Sequence, residues 1–105
     1  MAYYLVRESR GPAWDYSRER REQSGWDAHA AYMDRLAGHG VVVLGGPIGD
    51  DDGSDVVLVF EAYDESAVRA LLAADPWVGT ILSITSIEPW SIWLRTPAME
   101  SLLAS

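Results

Sequence analysis

Residues 41–63, "VVVLGGPIGDDDGSDVVLVFEAY", constrain the fold more than any other stretch of the chain. Two short apolar runs, 41–48 and 55–63, are rich in valine and bounded by turn residues, the pattern of strands. "GDDDG" at 49–53 is too short a link to cross over a sheet, so the two strands form an antiparallel hairpin. A doubly wound parallel sheet, which needs a helix between each pair of strands, is disfavoured at once.

The flanking segments complete the order. "YYLVRE", 3–8, predicts a first strand. Residues 9–24 carry Gly-Pro and a charge cluster but no sustained apolar period, which predicts a loop long enough to serve as a binding loop or lid. A first helix is predicted over 25–38, with Trp26, Ala30, Met33, Leu36 and Ala37 on one stripe and glycines at 38 and 40 to stop it. Asp64 is an N-cap for a second helix over 65–74, with Val68, Leu71 and Leu72 turned inward and Pro76 limiting it. A fourth strand, 81–94, is interrupted by Pro89, and the tail 95–105 adds a last turn of helix. The order β-α-β-β-α-β predicts an α+β, ferredoxin-like sandwich. It has one four-stranded antiparallel sheet with both helices on one face, in a single domain over 1–105.

Two helices cover one face of such a sheet. Along 55–63 neither alternate set of side chains is polar throughout: Val57, Val59, Glu61 and Tyr63 oppose Val56, Leu58, Phe60 and Ala62. A half-solvated antiparallel sheet alternates cleanly, so the second face needs a cover. A second copy of the same sheet is the simplest one, which predicts a homodimer. The competing cover is the chain itself, through Trp14 and Tyr16 of the loop and Met99, Leu102 and Leu103 of the tail.

Charge and composition narrow the partners. Eight basic against sixteen acidic residues give a net charge of −8, which disfavours nucleic acid and anionic membrane surfaces. The chain has no cysteine and no lysine, so thiolate and Schiff-base chemistry are out, and with two histidines a metal site would lean on carboxylates. No metal and no cofactor are expected. The first residues lack the layout of a signal peptide, and the longest apolar run is too short to span a bilayer, so a soluble, cytoplasmic protein is expected.

His29 falls on the apolar stripe of the first helix, about 60° from Trp26 at 100° per residue. Val68, Leu71, Leu72 and Asp75 follow the i, i+3, i+4, i+7 spacing on the second. Each stripe therefore carries one ionisable group. From the residues alone two readings stay open: a core histidine with an aspartate capping the segment after Pro76, or a partly buried acid–base pair. Both helices are expected to start at the same end of the sheet. His29, early in the first, and Asp75, at the finish of the second, then meet only through a short or tilted helix or a partner subunit.

Other candidates carry less. Gly45-Gly46-Pro47 could let a ligand approach the backbone or form a bulge. Trp26, Trp77 and Trp90 could wall a pocket or fill the core. Arg18, Arg20 and Arg21 could hold an anion or face solvent. "DDDGSDVVLVFE" lacks glycine at the sixth place of a calcium loop, and no helices flank it. His39, between two glycines, is expected to be exposed.

"AYYLV", "WDAHAAYMDRLAGHGVVVLGGPIGD", "AADPWV" and "SIEPW" together resemble the YciI-like (YCII-related) family over residues 2–94. The resemblance implies a ferredoxin-like fold, a dimeric α/β barrel and a pocket centred on a histidine and an aspartate, here His29 and Asp75. One branch of that family removes halide from a chlorinated hydroxyquinone; the long loop departs from the shortest members, so the substrate does not carry over. The expected function is a cofactor-independent enzyme, a lyase or isomerase. It would perform proton transfer, elimination or isomerisation on a small aromatic or quinonoid molecule. His29 would be the acid or base, Asp75 its orienting group, and Trp26, Met33, Gly46, Pro47 and Trp77 the lining. The alternatives are a non-catalytic small-molecule binder or accessory pathway protein, and a cofactor-free monooxygenase.

Overall fold

Four strands pair into one antiparallel sheet in the order β2-β3-β1-β4, in a computed structural model that describes residues 1–50 and 53–103. The elements are β1 (Ala2–Arg10), α1 (Trp26–Gly38), β2 (Val42–Pro47), β3 (Val56–Ala62), α2 (Glu65–Ala73), β4 (Leu82–Pro89) and α3 (Pro97–Leu103), with a single 3-10 turn at Arg20–Glu22. This is the ferredoxin-like βαββαβ sandwich that the hairpin and the helix spacing predict. In the β2–β3 turn, Asp51 and Asp52 lie outside the described residues. Its base is closed by the Ile48 N–H donating to the Asp55 carbonyl at 2.9 Å.

β1 is longer than its apolar run. Ser9 and Arg10 pair with Ser83 and Leu82 of β4, so polar residues continue the strand because a partner is there to receive their backbone. The strand stops at Gly11, where a side chain would collide with the Thr80 carbonyl. The remainder of the loop folds back on that end of the sheet, and its Trp14 is buried against Trp77, Ile81 and Leu82. β4 ends at Pro89; the Trp90 N–H still donates to the Tyr3 carbonyl at 2.9 Å, and 91–96 leave the sheet rather than extending the strand.

The inner face of the sheet presents Tyr4, Val6, Val56, Leu58, Phe60 and Ala62 to Leu36 of α1 and to Val68 and Leu72 of α2. On the outer face the chain itself supplies part of the cover, the competing reading of the sequence. The tail crosses it: Val43 and Val59 share a small cavity with Trp90, Ile92, Leu94 and Met99, and Val59 is 2% exposed. The loop 9–24 takes no part in that cover. Arg7 and Glu61, opposite Val57 and Tyr3, make the rest of the outer face mixed rather than greasy.

The expected direction of the helices is corrected. β1 and β3 are neighbours and antiparallel, with Ala2 opposite Ala62 and Glu8 opposite Val56. Each helix runs back along the strand before it, so α1 and α2 are antiparallel to each other. The start of α1 and the finish of α2 therefore share one end of the sheet. The Tyr32 hydroxyl of α1 donates to the Leu71 carbonyl of α2 at 2.6 Å and ties the two together. Among the described residues no helix is long and apolar enough to cross a membrane.

Candidate active site

Two local devices aim the chemistry. α1 begins at Gly25, whose φ of 79° is open to glycine and strained for other residues. Beside it the Trp77 indole N–H donates to the Ser24 carbonyl at 2.8 Å. His29 closes the first turn, its N–H donating to the Gly25 carbonyl at 3.0 Å. At the other helix Asp64 caps α2 by accepting from the Ala67 N–H, and α2 ends at Ala73. Asp75 then accepts the Trp77 N–H on Oδ1 at 2.9 Å, an aspartate turn around Pro76.

These devices bring His29 and Asp75 together. His29 Nδ1 lies 2.9 Å from Asp75 Oδ1 and 3.0 Å from Oδ2. No tilt of α2 and no second subunit is needed, because the helices are antiparallel. The aspartate side chain is 1% exposed and the imidazole 12%. With the carboxylate ionised and the imidazole neutral, Nδ1 donates to Asp75 and Nε2 is left with its lone pair. Trp77 stacks on the imidazole with ring centroids 4.1 Å apart and planes within 6°, which fixes the ring. Asp75 thus caps the turn and holds the histidine at once.

His29 stands in the wall of a cavity of about 490 Å³ between α1 and the sheet. Trp26 and Met33 line it from α1, and Gly46 and Pro47 from β2. Trp77 is not among the lining residues; it sits behind the imidazole, 1% exposed. Gly46 pairs with Val57, on the outward side of the ladder, and offers backbone to the wall. Gly45, opposite the inward Leu58, is the glycine turned toward the helices, and a side chain there would press on Leu58. Of the three loop arginines, Arg20 reaches the cavity, donating also to the Gly53 carbonyl at 2.6 Å. Arg18 is exposed beside Asp15 and Arg21 lies over Trp26. Trp90 belongs to the tail cavity, and His39 is exposed. Among the described residues no three His, Asp or Glu side chains gather to hold a metal ion.

Glu8 is the site residue that sequence reasoning missed. It lines the same cavity, is 2% exposed, and its Oε2 has no hydrogen-bond partner among the described residues. The signal was the parity of β1: Tyr4, Val6 and Glu8 are alternate residues, so a strand that buries Tyr4 and Val6 buries Glu8 as well. Burial pushes its carboxyl up from 4.5 to about 7; Asp75 adds to the rise and Arg20 opposes it. An acid whose value rises on folding stabilises the fold fully below its ordinary value, and that stability is lost as pH climbs through the folded one. Wild type is therefore expected to lose roughly 3 kcal/mol relative to Glu8→Gln between about pH 4 and pH 8. Urea melts of both proteins across that range measure the difference, and parallel curves would contradict it.

A ferredoxin-like sandwich with a carboxylate-oriented imidazole in a largely apolar cavity defines a class of small α+β proteins. Within that class the chain belongs to the YCII family: the model of the YCII-related domain matches residues 1–91. No curated protein matches the sequence. Among solved structures, the chain is similar to the 5-chloro-2-hydroxyhydroquinone dehydrochlorinase (TftG) from Burkholderia phenoliruptrix AC1100 in complex with 2,5-dihydroxybenzoquinone. The match has a TM-score of 0.58 and 21% identity, and it covers 93% of this chain and 98% of that one. At that identity the likeness speaks for the fold.

Proposed function

We propose that this protein is an acid–base enzyme acting on a small hydroxylated aromatic or quinonoid ring, with His29 as the proton-transfer group and Asp75 as its positioning residue. One observation carries the reading: an imidazole whose Nδ1 is held at 2.9 Å by a buried carboxylate stands in the wall of an apolar cavity of about 490 Å³. The ring and halide chemistry of the similar dehydrochlorinase supports the substrate class.

The chemistry needs only proton movements. Nε2 takes the proton of a ring hydroxyl and returns one to the ring carbon that bears the leaving group, giving the ketone tautomer. Loss of a second hydroxyl proton then sends an electron pair through the ring and expels the leaving group with its bonding pair. The balance is the loss of one proton and one anion, with no change of oxidant or reductant. Asp75 stabilises the imidazolium formed in between.

The test is a titration with 2,5-dihydroxybenzoquinone and an assay of halide release from chlorinated hydroxyhydroquinones. Binding together with halide release that needs His29 supports the enzyme. Binding without turnover, unchanged in His29→Asn, leaves a small-molecule carrier instead.

We propose further that the protein works as a homodimer through the outer side of the sheet. Leu44, Trp90, Trp93 and Leu94 remain exposed beside the tail cavity, Trp93 at 87% and Leu94 at 94%. Sedimentation velocity is expected to give twice the chain mass, and Trp93→Glu with Leu94→Glu to halve it. A monomer in the unsubstituted protein at high concentration would rule the dimer out.

A further inference from the structure

We propose that Glu8 is a specificity-determining residue of this cavity, its carboxyl offering a hydrogen bond to an oxygen substituent of the ring held against His29. The inference rests on the acid–base reading of the site and adds to it the side of the substrate that the imidazole does not touch.

The position of Glu8 is hard to explain by structure alone. Its register partners are Val56 on β3 and Ile84 on β4, neither of which offers a polar side-chain atom. Arg10, two residues along the same strand, lies over the Trp14 ring at 4.9 Å. The charged groups that act on Glu8 from the packed elements are Asp75, between α2 and β4, and Arg20, on the 3-10 turn; His29 and Asp34, on α1, share its cavity. A buried carboxyl with an oxygen left unbonded is costly, and a leucine of similar volume would relieve that cost. The unbonded oxygen belongs to a cavity-lining residue, where a ligand can satisfy it.

The protonation state decides what it recognises. With its value raised to about 7, Glu8 is largely a neutral acid in the lower half of the neutral range and donates an O–H. A ring carrying an acidic hydroxyl accepts that hydrogen bond on the hydroxyl oxygen. A ring carrying methyl groups in the same places leaves the carboxyl unpaired, and sites built to pair a polar group reject such analogues strongly. As pH rises and Glu8 ionises, its charge repels an anionic hydroxyquinone. The ligand class is therefore a hydroxylated, acidic ring, and binding weakens above the Glu8 titration.

The experiment compares 2,5-dihydroxybenzoquinone with 2,5-dimethylbenzoquinone on the unsubstituted protein, Glu8→Gln and Glu8→Leu, by titration from acid to mildly alkaline pH. The unsubstituted protein is expected to prefer the dihydroxy ring. Glu8→Leu is expected to lose about tenfold or more in affinity for it and to keep its affinity for the dimethyl ring, while melting at or above the wild-type temperature. Glu8→Gln, an uncharged donor at every pH, is expected to bind the dihydroxy ring like wild type at low pH and to remove part of the fall at high pH. Equal affinities in wild type and Glu8→Leu, with the same pH profile, overturn the role of Glu8 and leave the acid–base reading standing. Failure of the unsubstituted protein to bind the dihydroxy ring at any pH overturns the acid–base reading and the Glu8 role with it.

Discussion

Exchange of His29 for asparagine is expected to slow turnover by about 10²- to 10⁴-fold, the range that a positioned proton-transfer group supplies. Affinity for the ring is expected to change only a few-fold. Asparagine is chosen because its amide N–H can still donate toward Asp75, so the carboxylate is not left bare. What disappears is Nε2, the one atom of the pair with a lone pair for the substrate. The measurement is kcat and KM for halide release, with the dissociation constant of 2,5-dihydroxybenzoquinone measured separately. A fall in kcat with KM nearly constant marks an interaction made in the transition state. If His29→Asn lowers the melting temperature and leaves turnover intact, the imidazole is a packing residue.

Asp75→Ala is expected to be the most destabilising single change at the site, by about 3–5 kcal/mol. Two donors lose their acceptor together, His29 Nδ1–H and the Trp77 N–H, in a place where the carboxylate is 1% exposed. Against a net stability of about 5–15 kcal/mol that is a large share, and the melting temperature should fall by roughly 15 °C or more. Asp75→Asn separates stability from chemistry. Its carbonyl still accepts from Trp77 and the fold largely survives, but its amide turns an N–H toward Nδ1. An N–H facing Nδ1 competes with its hydrogen and favours the tautomer protonated on Nε2, the wrong one for a base, so activity is expected to fall toward the level of His29→Asn. An Asp75→Ala protein as stable as wild type would show that the contact carries little.

The hairpin, the helix spans and the α+β order were legible in the sequence because each rests on local chemistry. Turn residues at 49–53, the glycines after α1 and the Asp64 cap mark boundaries that tertiary contacts shift by only a residue or two. The ends of β1 and β4 were less legible: Ser9 and Arg10 are strand only because β4 lies beside them, and 91–96 are not strand because the chain leaves β1 after the Trp90 N–H bonds the Tyr3 carbonyl. His29 was visible from helical periodicity and Asp75 from the matching stripe, but their meeting was misjudged. The order of elements alone suggests two parallel βα repeats, whereas antiparallel pairing of β1 with β3 reverses the second unit. Glu8 was missed for a different reason: a carboxyl in a strand reads as solvent-facing until the parity of its neighbours is counted. The cover that the tail gives Val59 depends on a path across the sheet that no local pattern encodes.

The order β2-β3-β1-β4 leaves β2 on the rim, bonded to a neighbour on one flank only. That rim forms one wall of the hollow through Gly45, Gly46 and Pro47, while the imidazole, its carboxylate and the stacked indole all hang from α1 and the α2–β4 link. On the reading proposed above, the β2 wall of the cavity and the groups that would move protons are carried by different elements. On that reading, substitutions along β2 are expected to change which molecules fit the cavity while leaving the His29–Asp75 contact across the gap in place.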